Sequence, residues 1–130
     1  MRAYDDEVSY TRIIDPAPQA DEMALPAPGE QPQLVWRPRL GDQQAYPLTG
    51  RITKVGRHET NDVVLAGPTV SARHATVRVE AVGVVVEDEG SLNGTFVNGE
   101  RVEQRLLEEA DRIQIGPHLL LFVPAAGKQA

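Results

Sequence analysis

The sequence predicts an all-β fold, a sandwich of two antiparallel sheets over residues 34–124, preceded by a disordered tail. Three observations carry that expectation. From Gln33 onward, short runs rich in Val, Ile, Thr and Leu recur at roughly 8- to 12-residue spacing. Gly, Pro, Asn and Asp punctuate the gaps between them, as turn chemistry requires. Nowhere in that region does an apolar period of 3.6 persist long enough to build a helix.

The elements follow in order. Residues 34–36 (LVW) read as a first strand, stopped by Pro38. Residues 51–55 (RITKV) alternate polar and apolar, the pattern of a half-buried strand. Residues 63–65 (VVL) form a short strand between Asn61-Asp62 and Gly67-Pro68. Residues 75–80 (ATVRVE) and 84–87 (VVVE) make a hairpin around Gly83. Residues 95–97 and 101–102 flank Asn98-Gly99, a pair that accepts the positive φ of a type I′ turn. Residues 112–115 and 118–123 form the closing hairpin across Gly116-Pro117. Residues 104–110 offer at most one turn of helix, with Leu106 and Leu107 as a plug for the core.

A chain of 130 residues accommodates one ordinary domain. It contains no cysteine, which removes disulfides and thiolate metal sites from consideration. The acidic start lacks the apolar segment of a secretory signal, and no apolar run approaches the ~20 residues of a membrane span. A cytoplasmic location is the expectation. The formal charge is −6 and is unevenly spread: residues 1–33 carry two arginines against seven acidic residues. The remainder is close to neutral, which argues against a basic nucleic-acid or membrane-binding stripe.

Half of the ten prolines fall within residues 1–33, among Ala, Gln and acidic residues. Such a segment cannot bury enough apolar surface to offset the entropy of ordering it, so 1–33 reads as a disordered acidic tail. Within it, residues 8–14 (VSYTRII) form an apolar and hydroxyl island around Thr11. Residues 125–130 read as a flexible C-terminus.

Polar groups suited to recognition gather in the turns: Gly56-Arg57 with Asn61-Asp62, residues 69–74 (TVSARH), and residues 90–95 (GSLNGT). Loops at one end of a rigid sandwich are the usual place for binding residues. A guanidinium, several hydroxyls and an amide, without convergent carboxylates, suit a phosphate on a peptide.

The order Gly56-Arg57, Asn61-Asp62, Val70-Ser71-x-x-His74, Gly90-Ser91-x-Asn93-Gly94-Thr95, Asn98-Gly99 resembles the forkhead-associated (FHA) family. The resemblance runs from about Thr53 to Val123 and implies a non-enzymatic module that recognises phosphothreonine. It implies that Arg57 lies beside the phosphorylated residue, that Ser71 donates its hydroxyl to a phosphate oxygen, and that Asn93 holds the peptide backbone. Thr69, Leu92 and Arg73 complete the candidate peptide-binding set. Gly56, His74, Gly94, Asn98 and Gly99 are the implied structural residues, with His74 bracing the loop that carries Ser71. The chain resembles small bacterial FHA proteins with a phosphorylatable N-terminal tail, which makes Thr11 a candidate phosphosite and implies an upstream Ser/Thr kinase. The implied partner is a phosphothreonine protein or the chain's own tail. One departure is Ala72, where family members often carry Arg or another polar residue.

Blander readings stand beside these. Arg57 alone suits a solvated loop charge, Ser71 and Asn93 suit ordinary turns, and the run Glu87-Asp88-Glu89 reads as a solvated strand end. His58 and His118 are isolated. Ser71, His74 and Asp88 include the residue types of a catalytic triad, but no strand-turn-helix elbow presents the serine. No phosphate-binding glycine motif, metal cluster or cofactor signature is present. A sandwich that scaffolds protein contacts without phosphate stays open as an alternative.

Overall fold

A computed structural model describes residues 29–38 and 42–126 of the chain. The proposed tail over 1–28, Thr11 included, and residues 127–130 lie outside the described residues. Among the described residues the structure is all-β, with eleven strands in two sheets.

In chain order the strands are β1 (Gln33–Trp36), β2 (Gln44–Pro47), β3 (Ile52–Gly56), β4 (Val63–Val64), β5 (Ala75–Glu80) and β6 (Gly83–Asp88). There follow β7 (Thr95–Val97), β8 (Glu100–Val102), β9 (Gln104–Leu106), β10 (Arg112–Ile115) and β11 (His118–Val123). One sheet has the order β2-β1-β11-β10-β7-β8 and the other β4-β3-β5-β6-β9. Pairing is antiparallel throughout except between β3 and β4, where Val55 sits opposite Val63 in a parallel register. The loop over residues 57–62 carries the chain back along β3, so β4 runs in the same direction beside it.

The inner faces meet in one core that includes Leu34, Val55, Leu65, Val77, Val86, Ile113, Ile115, Leu120 and Phe122. Strand alternation delivers these residues inward: in β11, Leu120 and Phe122 join this core while Leu119, Leu121 and Val123 point to the other side. The Asn98-Gly99 tip has φ of 52° and 87°, the two positive values that a type I′ hairpin needs. Asn98 also ties the hairpin to β10, its Nδ2 donating to Asp111 and its Oδ1 accepting from the Arg112 N–H.

Four local readings of the sequence change. The helical turn in 104–110 is instead an edge strand, β9, paired with β6 through Leu106 opposite Val85. Of its leucine pair only Leu107 is buried, at 7% exposure, while Leu106 is 44% exposed. Strand β2 was not legible because QAYP has no apolar alternation, and its Pro47 is tolerated at a sheet edge, where the missing N–H is not needed. The ordered chain also extends past both expected boundaries. Gln33 already pairs with Val123 and Pro47, the Pro32 carbonyl accepts from Leu48, and the Ala126 N–H donates to Gly29. Ala125, expected in the flexible terminus, is buried. Prolines in this stretch remove donors but leave carbonyls able to pair.

The leucine assignment is testable by denaturant unfolding. Leu107→Ala should cost about 2–5 kcal/mol, as for other large-to-small core changes. Leu106→Ala should cost well under half of that.

Candidate functional site

The loops after β3, before β5 and between β6 and β7 emerge at one end of the sandwich, together with the β10–β11 turn. Antiparallel alternation places them there: β3, β6 and β10 end where β5, β7 and β11 begin.

Arg57 is the first residue beyond β3. Its N–H donates to the Ser71 carbonyl at 3.0 Å, and its side-chain Nε donates to the Val70 carbonyl at 2.9 Å. The guanidinium is therefore held by one edge, while its terminal nitrogens have no partner among the described residues. Gly56 lets this happen. A Cβ there would lie 2.3 Å from the Ala72 carbonyl oxygen, so only glycine permits the two loops to approach. The same Ala72 carbonyl accepts from Asn61 Nδ2 at 2.8 Å and from the His58 N–H. Position 72 thus contributes through its backbone.

Ser71 is tied from three sides. Its carbonyl accepts from Arg57, its N–H donates to His74 Nδ1 at 3.1 Å, and its Oγ accepts from the Leu92 N–H at 3.1 Å. A hydroxyl has one proton and two lone pairs, so Ser71 keeps its proton to donate elsewhere. Asn93 Nδ2 donates to the Thr69 carbonyl at 3.1 Å, which leaves its Oδ1 as an outward acceptor. Leu92 is 84% exposed between them. The predicted residues Arg57, Thr69, Ser71, Leu92 and Asn93 are thus joined by hydrogen bonds across three loops. Arg73 is not part of this network. It lines a small groove with Lys54, Asn61, Thr76 and Glu89 on the flank of the five-stranded sheet.

His74 stands beneath the loops and is fully buried. Because Nδ1 accepts from Ser71, the ring proton resides on Nε2, which donates to the Gly94 carbonyl at 2.8 Å. One neutral imidazole thereby links the Ser71 loop to the Asn93 loop. Gly94 has φ of 97°, a left-handed conformation in which any side chain is strained. A catalytic triad does not form, since His74 meets the Ser71 backbone rather than its hydroxyl and Asp88 bonds other groups. No cluster of metal-ligating side chains occurs among the described residues.

Asp88 departs from its sequence reading. Half-buried rather than fully solvated, it organises the β6–β7 loop. Its Oδ1 accepts from Ser91 Oγ at 2.5 Å and Thr95 Oγ1 at 2.7 Å, and its Oδ2 accepts from the Gly90 and Ser91 N–H groups at 3.0 Å. Ser91 Oγ in turn accepts from the Gly94 N–H. Partial burial pushes the Asp88 carboxyl up, but the Ser91 and Thr95 hydroxyls and the two backbone donors outweigh it, leaving it below its usual value. The signal was present as Asp-x-x-Ser, a spacing at which a carboxylate caps its own turn. Among the other histidines, His118 accepts from Trp36 Nε1 and donates to the Ala66 carbonyl, so it pins the loop leading to Thr69.

Residues 53–116 match the FHA domain family. An FHA domain of Mycobacterium tuberculosis Rv1747 superposes with a TM-score of 0.60 at 33% identity, covering 73% of this chain and 98% of that one. The chain belongs to the FHA family. EmbR of M. tuberculosis, solved with a low-affinity phosphopeptide, superposes with a TM-score of 0.65 at 30% identity, over 75% of this chain and 26% of EmbR. The glycogen accumulation regulator GarA of M. tuberculosis is 42% identical over 97 residues, 74% of this chain and 59% of that protein. The matched region therefore spans under two thirds of that relative.

The Asp88 network gives a pH prediction. A carboxyl whose folded pKa is lowered adds stability above its unfolded value of 3.8 and loses it as pH falls through the lower folded value. Asp88→Asn should cost about 1–3 kcal/mol at neutral pH through hydroxyl and amide donors left without a full acceptor. Its stability should then fall less steeply than wild type below pH ~4 in acid-unfolding series.

Proposed function

We propose that this chain is a non-catalytic module that reads phosphothreonine on a peptide laid across the Arg57, Ser71 and Asn93 loops. The observation that carries the reading is their convergence in one hydrogen-bonded network, with donors left over at its surface. A phosphate dianion needs a forked cationic donor and further hydroxyl or amide donors. Arg57 retains terminal N–H groups and Ser71 retains its hydroxyl proton. Asn93 retains a carbonyl oxygen able to accept from the peptide backbone, which sets direction and register. Leu92, exposed beside them, offers apolar surface to the ligand. Family membership and the phosphopeptide complex of EmbR support the same reading.

Threonine over serine is favoured by the methyl group, whose burial is worth about 0.8 kcal/mol. The partner in this proposal is a cytoplasmic phosphothreonine protein or the chain's own tail after a Ser/Thr kinase has acted on Thr11. Thr11 is followed three positions later by Ile14 and lies ~22 residues before Gln33. A random coil of that length spans about 25 Å root-mean-square, and tethering holds the ligand near millimolar effective concentration. The likeness to GarA, a regulator by name, supports a regulatory role for such a switch.

Two titrations test this. Paired phosphothreonine and unmodified peptides should bind unequally, and Arg57→Ala should lower phosphopeptide affinity by about 2–5 kcal/mol, the loss expected when one charge of a desolvated pair is removed. Equal affinities would assign the loops to phosphate-independent contacts. Chain phosphorylated on Thr11 should lose binding to external phosphopeptide and regain it when residues 1–22 are removed. Unimpaired binding by the phosphorylated chain would exclude the internal switch.

A further inference from the structure

The six-stranded sheet has a second apolar cluster on the face turned away from the core. Val35, Leu119, Leu121 and Val123 form it, flanking each other across β1 and β11. Their exposures are 0%, 9%, 2% and 5%. In a two-layer sandwich an outward face of this kind stands in solvent, as the neighbouring outward residues Ala45, Arg112 and Gln114 do. The five-stranded sheet covers only the opposite face. No strand of either sheet covers these four side chains, so their burial points to a covering segment outside the strands.

The chain outside the described residues supplies candidates of 28, three and four residues, at 1–28, 39–41 and 127–130. Only the first is long enough to run along β11. Its point of attachment also fits. Gly29 accepts a hydrogen bond from Ala126, three residues beyond Val123, so the tail enters at the end of the sandwich remote from Arg57. Four extended residues reach about 13 Å, the same distance that separates Val123 from Leu119 along a strand. Leu25 and Pro26 fall within that reach, and Met23, six residues before Gly29, reaches about 20 Å when extended. Asp21 and Glu22 precede them, and Arg112 stands opposite Leu121 on the same face.

We propose that residues 23–28 lie along the outer face of β1 and β11 as an apolar strap, with Met23 and Leu25 over Val35, Leu121 and Val123 and the Asp21-Glu22 pair beside Arg112. The strap leads from the tail's attachment toward the loop end of the sheet, because β11 runs from His118 at that end to Val123 at the other. Upstream residues, Thr11 among them, are thereby delivered toward the recognition loops. The seating itself does not depend on the phosphate reading, and its test uses unphosphorylated full-length chain.

The chain has no cysteine, so Ala24→Cys provides a single attachment point for a nitroxide label. The methyl signals of Val35, Leu121 and Val123 should lose intensity more than those of Ile52 and Val82 on the other sheet. The loss should vanish when Met23→Ser and Leu25→Ser are added. It should also be absent when labelled chain is mixed with isotope-enriched chain lacking the nitroxide. No selective loss, or a loss that survives the double serine variant, overturns the strap. A loss in the mixed sample also overturns it, since a second copy would then cover this face.

Discussion

The placement of the recognition loops depends on one buried side chain, His74. Its fully buried ring accepts from the half-buried Ser71 N–H and donates to the buried Gly94 carbonyl. A buried polar group without its partner costs about 1–3 kcal/mol, so loss of the imidazole would orphan two groups at once. The relative position of the Ser71 hydroxyl and the Asn93 amide is therefore a property of the core rather than of the loops. Surrounding constraints act in the same direction. Gly56 permits the close approach of the Ala72 carbonyl, Asn61 clamps that carbonyl, and Asp88 gathers Ser91 and Thr95 beneath the Asn93 turn. A site held in this way can meet a charged ligand without first ordering its own loops, which lowers the cost of binding.

The two ends of the sandwich differ in kind. At the recognition end, backbone carbonyls and amides are occupied by side chains from other loops, and the surplus donors face outward. At the opposite end an open apolar groove of about 430 Å³ is lined by Val79, Val82, Leu107, Phe122 and Pro124. It offers no cation and no hydroxyl for a phosphate. The chain enters β1 and leaves β11 at this second end, so a tail segment that reaches the loops must travel the length of the sheet.

Most of the architecture was legible because strand alternation and turn chemistry are local. Residues 75–80 read as β5 with no change, and Asn98-Gly99 set its hairpin by φ alone. The candidate site was legible for a different reason: its residues lie in loops whose spacing repeats that of a known family. What escaped depended on tertiary context. Strands β2 and β9 are edges whose pairing is dictated by β1 and β6 rather than by their own apolar content. Asp88 looks like any acidic residue at a strand end until the fold brings Thr95 to it. Arg73 has the right charge, yet it lines a groove with Lys54 and Glu89 on the flank of the sheet and shares no hydrogen bond with Arg57 or Ser71.

The most direct test of a prebuilt phosphothreonine site is amide chemical-shift mapping during titration with a phosphothreonine peptide. The account predicts that the largest shifts fall at Arg57, Ser71, Leu92 and Asn93, that the groove lined by Val82 and Pro124 stays silent, and that the unphosphorylated peptide moves neither. Dominant shifts at that groove, or the same shifts from the unphosphorylated peptide, would contradict it.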